Sequence, residues 1–345
     1  MSDSSDAGRA ESSTSATSTD SNAPSCGTCI QEATTPMMAS HAEYTLKEGQ
    51  FLFDVLPNDM EVFRWANLLS SSSVYRLFYA YTTIISRDAN RCTTAFKSNT
   101  DLNRYLDIPC IEDNRVKLLK YICAQGPIGN TITRFWEMVW QENSVIVVAI
   151  NDPDLPYYPQ ASKGKEIFGD IVVANQGTRN CRNAYDATLS KGTEKRTILH
   201  LEYYDWPHKC TPRSPNEVLN IVADVNHNAV KLRKKAEKAG WLKKDEPSPI
   251  IVHCMTGVGR SASLIALDIV CEKMKTSHAE GKCPIDITET VTRLRTQRAM
   301  AVHKPEQFVV VTLTAMEYAI RNHFIKEKET EELRLSNFAL FPDTE

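Results

Sequence analysis

The stretch Pro249–Ala262, PIIVHCMTGVGRSA, constrains the fold of this chain more than any other part of it. Its apolar first half is too short for a helix of ordinary length and predicts a buried strand that ends at Cys254. After five intervening residues, Arg260 begins a run with a helical apolar pattern. A buried strand that leads into a helix through so short a loop is typical of an α/β domain.

The loop between Cys254 and Arg260 has the properties of an anion cradle. Its backbone N–H groups can turn inward in front of the helix N-terminus, and Gly257 and Gly259 allow the curl. Arg260 offers a planar fork for two phosphate oxygens, and its charge lowers the pKa of the cysteine thiol. With a hydroxyl from Ser261, this pattern predicts a nucleophile for phosphoryl transfer through a phosphocysteine. The alternative is a structural cysteine before a glycine turn.

The rest of the chain predicts one α/β domain over 46–326, between a disordered Ser/Thr-rich acidic tail at 1–45 and a C-terminal tail at 327–345. Three segments have the composition of strands, and each is expected to form one strand: NSVIVVAI, FGDIVVAN and EKRTILHLEYY. Helices are predicted from Pro215, Arg260, Asp286 and Pro305 onward.

The composition excludes several classes of protein. The net charge of −3 offers no case for a nucleic-acid partner, and no apolar run is long enough for membrane insertion. The N-terminus is acidic and polar, so no signal peptide is expected there. Ten scattered cysteines favour a reducing compartment, the cytoplasm or alternatively the nucleus. Cys26 and Cys29 form a lone CxxC, which we interpret as two solvated thiols, so neither a metal nor another cofactor is predicted.

Several motifs occur in one order along the chain: NRYLDIPC, RVKL, YICAQGP, FWEMVWQ, FGDIVV, PIIVHCMTGVGRSA and LRTQRAMAVHKPEQF. From about Asn103 to about Ile320 the sequence resembles the classical, cysteine-based protein tyrosine phosphatase family, in the style of its divergent nematode members. The resemblance implies the fold of that family, a central mixed twisted sheet with helices on both sides. It also implies phosphotyrosine-containing proteins as partners and leaves the oligomeric state open.

The resemblance also implies roles for individual residues. Cys254 corresponds to the nucleophile, Arg260 to the phosphate ligand, Ser261 to the residue that helps release the sulfur, and Gln307 to the residue that orients the hydrolytic water. Substrate binding is implied for the loop and for the start of a mobile flap: Met255, Thr256, Gly257, Val258, Gly259, Arg260 and Trp206.

The chain departs from the family at four places. His208 stands where the family has the flap aspartate that protonates the leaving group. It is either a working acid with a shifted pH range or a loop histidine without a role. His303 replaces the first glutamine of the family's glutamine loop. A segment expected between RVKL and YICAQGP is missing, so either the pocket is shallower or the sequence is a spliced or mispredicted version of a fuller gene product. Ala262 replaces a glycine.

Two main functions therefore remain open at this point. One is a tyrosine phosphatase of reduced activity, and the other is a pseudophosphatase that binds phosphotyrosine proteins as a scaffold or shield. The retained Cys254 favours the enzyme, because a pure binder has no chemical need for a thiolate beside Arg260. A lipid or dual-specificity phosphatase fits the surrounding motifs less well.

Overall fold

The computed structural model describes residues 93–111, 120–150, 156–178, 184–204, 206, 212, 215–279 and 286–324, together with six residues between 77 and 85. The predicted tails at 1–45 and 327–345 lie outside these residues, and so do the RVKL motif and His208. Among the described residues, no helix is both long enough and apolar enough to cross a membrane.

A seven-stranded mixed sheet lies at the centre of the described structure. The strands are β1 (Tyr121–Gln125), β2 (Ile146–Ile150), β3 (Lys165–Phe168), β4 (Ile171–Thr178), β5 (Ala184–Lys191), β6 (Glu194–Glu202) and β7 (Ile250–Cys254). Their order in the sheet is β1-β7-β2-β6-β5-β4-β3, in which the first four strands pair in parallel and the last four pair antiparallel.

Helices cover both faces of the sheet, as the predicted fold class requires. The helices are α1 (Thr94–Ser98), α2 (Ile132–Gln141), α3 (Pro215–Lys238), α4 (Arg260–Ala279), α5 (Ile287–Gln297) and α6 (Pro305–Arg321), with short 3₁₀ turns at Thr100–Leu102 and Gly129–Thr131. One face of the sheet packs on α2, whose Trp136 and Val139 are fully buried. The other face packs on α3, α4, α5 and α6.

The helix ends follow local chemistry. Proline begins both α3 and α6, where its missing N–H costs no hydrogen bond. The side chain of Asp286 caps α5 by accepting a hydrogen bond from the backbone N–H of Glu289 at 2.6 Å. Gly240, with φ of +80°, follows the end of α3 in the left-handed conformation that helix C-termini favour.

The antiparallel half of the sheet differs from the sequence prediction. FGDIVVAN was expected to be one strand, but a tight turn at Gly169 and Asp170 separates β3 from β4. Gly169 has φ of +62°, which an L-residue adopts only with strain, and this glycine allows the chain to reverse there. Strand β5 was not predicted at all, because its half-polar sequence AYDATLSK has no continuous apolar run.

The parallel half positions the loop at Cys254. Strand β7 lies between β1 and β2, and all five of its residues are buried. Gln125 of β1 and Ile150 of β2 are the register partners of Cys254, so three strands end at the same level beneath the loop. The carboxyl ends of parallel strands are where α/β sheets hold their ligands.

Candidate active site

The loop from Met255 to Gly259 curls tightly over the end of β1. Gly257 has φ of +69°, and a Cβ atom there would lie 2.4 Å from the backbone carbonyl of Ala124. Only glycine fits this position without moving the strand. The close approach turns the N–H of Gly257 toward the sulfur of Cys254, at 3.2 Å.

The thiol of Cys254 has lost nearly all contact with solvent, yet its pKa is lowered. Burial alone would raise the pKa, but the charge of Arg260 opposes this effect. The hydroxyl of Ser261 donates a hydrogen bond to the sulfur at 3.0 Å, and the backbone N–H groups of Gly257 and Ser261 also stabilise the thiolate. The cysteine is therefore held toward its nucleophilic form.

Arg260 is the first residue of α4 and is only 2% exposed. Its Nη1 donates a hydrogen bond to the backbone carbonyl of Trp206 at 2.8 Å, and the Trp206 side chain is itself buried. The arginine thus joins the loop to the segment in which the flap was predicted. A fork with a fixed position and a permanent charge is suited to bidentate contact with a tetrahedral anion.

Arg298 holds the outer side of the loop. Its Nε donates to the carbonyl of Gly257 at 3.2 Å, and its Nη2 donates to that of Thr256 at 3.3 Å. Its Nη1 reaches the carbonyl of Pro109 at 2.9 Å. Because these two loop carbonyls point outward, the N–H groups of the following residues are free to point inward. Sequence reasoning did not single out this residue, although it lies in the LRTQRAMAVHKPEQF motif.

Gln307 lies directly against the loop. It is 3% exposed, and a Cβ atom at Gly259 would come within 2.8 Å of its Nε2 atom. The backbone N–H of Lys304 donates to its Oε1 at 3.2 Å, which orients the amide. The amide therefore has a fixed position beside the candidate anion site.

The turn before α6 is strained and held in place from both sides. Val302 has φ of +54°, which a β-branched residue rarely adopts. The Tyr81 hydroxyl donates to the carbonyls of Val302 at 2.8 Å and of His303 at 2.6 Å. Arg295 donates to the carbonyl of Ala301 at 2.9 Å. These contacts compensate for the strain and fix the backbone that carries His303.

This geometry agrees with comparisons to known proteins. The sequence model of the protein-tyrosine phosphatase family matches residues 81–317, which is more than half of the chain. The chain belongs to the protein-tyrosine phosphatase family. The predicted fold and family are thereby confirmed.

Individual relatives of this phosphatase family member are moderately similar. The chain is 28% identical over 256 residues to tyrosine-protein phosphatase non-receptor type 9 of Homo sapiens, covering 64% of this chain and 42% of that protein. It is 31% identical over 240 residues to receptor-type tyrosine-protein phosphatase R of Rattus norvegicus, covering 67% of this chain and 34% of that protein. It is 29% identical over 247 residues to tyrosine-protein phosphatase non-receptor type 7 of Homo sapiens, covering 69% of this chain and 63% of that protein. The chain thus spans less than two thirds of each relative.

The structure brings together most of the predicted site. Ser261 contacts Cys254 through a hydrogen bond, and the charge of Arg260 acts on the same cysteine. Gln307 packs on the loop, and Trp206 contacts Arg260. Met255 and Val258 belong to the same loop, the first half-buried and the second buried. The predicted flap acid His208 is outside the described residues, and its role stays a prediction.

The opposite face of β7 carries a polar network that the sequence did not reveal. His253 is fully buried, and its Nε2 lies 2.6 Å from the Tyr157 hydroxyl, which also lies 2.5 Å from Nε2 of His200. Burial lowers the pKa of His200 to about 3 and that of His253 well below its usual range, with further lowering of the latter by neighbouring positive groups. Both imidazoles are therefore neutral near pH 7.

This network continues to the end of β6. The buried carboxyl group of Glu202 accepts hydrogen bonds from the hydroxyls of Tyr158, at 3.1 Å, and of Tyr204. Burial raises the pKa of this carboxyl group, and the two hydroxyls oppose the effect. The Tyr203 hydroxyl donates to Glu217 at 2.8 Å. Tyr203 and Tyr204, which precede Trp206 in the chain, are therefore both held by hydrogen bonds from their hydroxyls.

Proposed function

We propose that the chain hydrolyses phosphotyrosine in proteins through a phosphocysteine on Cys254, with reduced activity because His208 replaces the flap aspartate. The observation that carries the proposal is the set of donors around one buried sulfur. Ser261 and the Gly257 N–H both contact this sulfur, and the charge of Arg260 lowers its pKa. A group stabilised as an anion beside an anion-binding loop is suited to attack a bound phosphate.

The proposed reaction has two chemical steps. The loop N–H groups and the Arg260 fork bind the phosphate, and the Cys254 thiolate attacks phosphorus while the tyrosine oxygen leaves. Water held by Gln307 then attacks phosphorus and gives a proton to the His208 imidazole, which lost its own proton in the first step. The S–P bond breaks, and its electrons return to the sulfur as a thiolate. The Ser261 hydroxyl stabilises the departing sulfur through the bond it already makes. His208 is proposed to protonate the leaving oxygen in the first step.

Partners and location follow from the same proposal. Phosphotyrosine-containing proteins are the proposed substrates, and the domain is proposed to extend over 46–326. We propose a reducing compartment, because a nucleophilic thiol must stay reduced to act. All four cysteines among the described residues are free thiols: Cys110, Cys123, Cys254 and Cys271.

A second candidate function is a phosphotyrosine-binding pseudophosphatase. The observation that favours it is His208 at the place of the acid, because a phenolate leaving group has a pKa of about 10 and needs a proton. Loss of general acid catalysis costs roughly 10²–10⁴ in rate. The same cradle and Arg260 would then hold a phosphorylated partner without rapid turnover.

Single-turnover kinetics with an activated aryl phosphate separate the two candidates. This substrate has a good leaving group and scarcely needs an acid, so phosphocysteine formation requires Cys254 and the phosphate-binding loop but not His208. We expect a burst of aryl alcohol and a phosphorylated Cys254 in peptide mass spectra. Cys254→Ser should abolish the burst while vanadate still binds. Vanadate binding by the wild-type chain with no burst would favour the pseudophosphatase.

The flap acid has its own test. Changing His208→Asp restores a carboxyl group at the acid position and should raise kcat on a phosphotyrosine peptide by at least about tenfold. The rate with the activated aryl phosphate should hardly change, because that leaving group needs no proton. Equal gains with both substrates would contradict an acid role, and no gain with the peptide would place the limiting defect elsewhere.

A further inference from the structure

The carboxyl group of Glu202 is buried at the end of β6, and no cation compensates it within the described part of the chain. The residue is 6% exposed, and the one basic group of that part within 4.0 Å of the carboxyl group is the His200 imidazole. Burial lowers the pKa of this histidine to about 3, so the imidazole carries no charge near pH 7. A buried carboxyl group in such surroundings costs stability, and proteins tolerate costs of this kind mainly at functional sites.

Two tyrosine hydroxyls donate hydrogen bonds to one oxygen of this carboxyl group. Oε2 of Glu202 accepts from Tyr158 at 3.1 Å and from Tyr204. Burial, and the nearby carboxyl group itself, raise the pKa of both tyrosines, so both hydroxyls keep their protons and can donate. Glu202 therefore joins two segments of the chain through a single oxygen.

The two tyrosines have different positions relative to the sheet. The ring of Tyr158 is packed against the sheet, with its centroid 4.3 Å from that of His200 on β6. Tyr204 lies two residues beyond the end of β6, after the N–H of Tyr203 has made a 2.8 Å bond to a carbonyl of β2. The hydroxyl of Tyr204 thus ties the chain back to the sheet just after the strand has ended.

Trp206 follows Tyr204 by two residues and contacts the candidate phosphate ligand. Its carbonyl accepts the 2.8 Å hydrogen bond from Nη1 of Arg260, and its side chain is buried. Two residues span at most about 7 Å, so the position of Tyr204 limits where this carbonyl can lie. Bidentate binding of two phosphate oxygens requires a guanidinium group with a fixed position. A restraint on Tyr204 is therefore passed to Arg260 through one carbonyl.

Glu202 itself lies on the far side of the sheet from the candidate nucleophile. Its neighbour Leu201 packs in the same apolar cluster as Cys254. Successive residues of a strand face opposite sides of the sheet, so the Glu202 side chain points away from that cluster. An effect of Glu202 on phosphate binding must therefore be indirect.

We propose that Glu202 is a positioning residue for phosphate binding, which acts on Arg260 by holding Tyr204 in place. The Trp206 carbonyl is the link between the held tyrosine and the guanidinium group. The inference rests on the proposed function only in taking Arg260 as the phosphate ligand. Binding of orthovanadate reports on this ligand without requiring turnover.

Two tyrosine variants of the full-length chain test the inference. Tyr204→Phe removes the bond that leads to Trp206, whereas the matched control Tyr158→Phe removes a bond to the same carboxyl oxygen that does not lead there. Loss of one hydrogen bond to a buried carboxyl group corresponds to about tenfold or more in an equilibrium constant, and part of it should reach Arg260. We expect orthovanadate to bind Tyr204→Phe at least about fivefold more weakly than wild type, and Tyr158→Phe within about twofold of wild type.

Variants of the carboxyl group sharpen the test. Glu202→Gln keeps an acceptor oxygen for Tyr204 and should retain most of the orthovanadate affinity, whereas Glu202→Ala should lose as much as Tyr204→Phe. If Glu202→Ala does not fold, the two phenylalanine variants still decide the question. In an Arg260→Ala background, Tyr204→Phe should weaken binding by less than about twofold, because the guanidinium that it positions is gone.

A purely structural role predicts a different pattern. Tyr158→Phe and Tyr204→Phe would then both lower the urea concentration at which half the chain unfolds, with equal orthovanadate affinities in the folded proteins. Equal affinities, or the full loss from Tyr204→Phe in the Arg260→Ala background, would overturn the inference. With turnover of phosphotyrosine peptide intact, that result leaves the proposed activity in place. The expected affinities without any turnover would support the inference while the proposed phosphatase activity fails.

Discussion

His253 and Cys254 are neighbours in β7 and are both buried, but their environments favour opposite charge states. The histidine is 0% exposed and the cysteine 2%. His253 has a strongly lowered pKa and is neutral near pH 7, whereas the lowered pKa of Cys254 favours its charged form. Successive residues of a strand face opposite sides of a sheet, so one strand separates two different electrostatic environments.

The difference lies in the partners on each side. His253 faces a neutral tyrosine hydroxyl, which offers a hydrogen bond but no charge, so desolvation decides its state. Cys254 faces a guanidinium group, a hydroxyl and backbone N–H groups, and together these outweigh the cost of burial. Burial therefore neutralises a side chain only where the fold supplies no compensating charge.

Arg260→Ala should have the largest effect on this contrast. Removing the guanidinium leaves burial dominant, so the Cys254 pKa rises and the pH profile of iodoacetamide alkylation moves to higher pH. Vanadate affinity should fall by about a hundredfold or more, because two charged hydrogen bonds are lost. Arg260→Lys, which keeps the charge without the fork, should restore part of the alkylation profile and little of the affinity. An unshifted profile in Arg260→Ala would mean that other groups hold the thiolate.

Ser261→Ala should have a smaller effect in the same direction. One hydrogen bond to the thiolate is lost while Arg260 remains, so alkylation near pH 6 should slow by about tenfold. Ser263→Ala is the matched control, because its hydroxyl bonds the Gly259 carbonyl at 3.0 Å in the same helical turn but does not touch the sulfur. Equal slowing in both variants would indicate a general change in the helix start.

Tyr157→Phe should have the smallest effect on the thiolate. The change removes the hydroxyl shared by His253 and His200, which leaves buried nitrogen atoms without that partner. We expect the free energy of unfolding in urea to fall by about 1–3 kcal/mol, with the alkylation profile unchanged. A clear shift of that profile would show that the two faces of β7 are coupled, contrary to the separation described above.

The parallel half of the fold and the loop could be predicted from the sequence because their signals are local. An apolar run, two glycines and a helix start lie next to each other between Pro249 and Ala262. The positions of Arg260 and Ser261 follow from the same helix start. Gln307 was placed by resemblance to the family, and the structure puts it against Gly259.

The rest of the site depends on contacts between residues far apart in the chain. Arg298 donates hydrogen bonds to the carbonyls of Thr256 and Gly257, which precede it by more than forty residues in the sequence. No local sequence pattern indicates these contacts. The Tyr157 network joins three segments whose only common property is burial. Strand β5 was missed because pairing with its two neighbours, and not its own composition, holds it in the sheet.

The position of β1 at the end of the sheet has a consequence for behaviour at high concentration. In the described part of the chain β1 pairs on one side only, with β7. An unpaired strand edge invites pairing with other molecules, and proteins limit this risk with short strands, lysine and proline. Strand β1 has five residues and lies between Lys120, whose side chain is half exposed, and Pro127. The charge at one end and the proline just beyond the other should keep this edge from seeding aggregates.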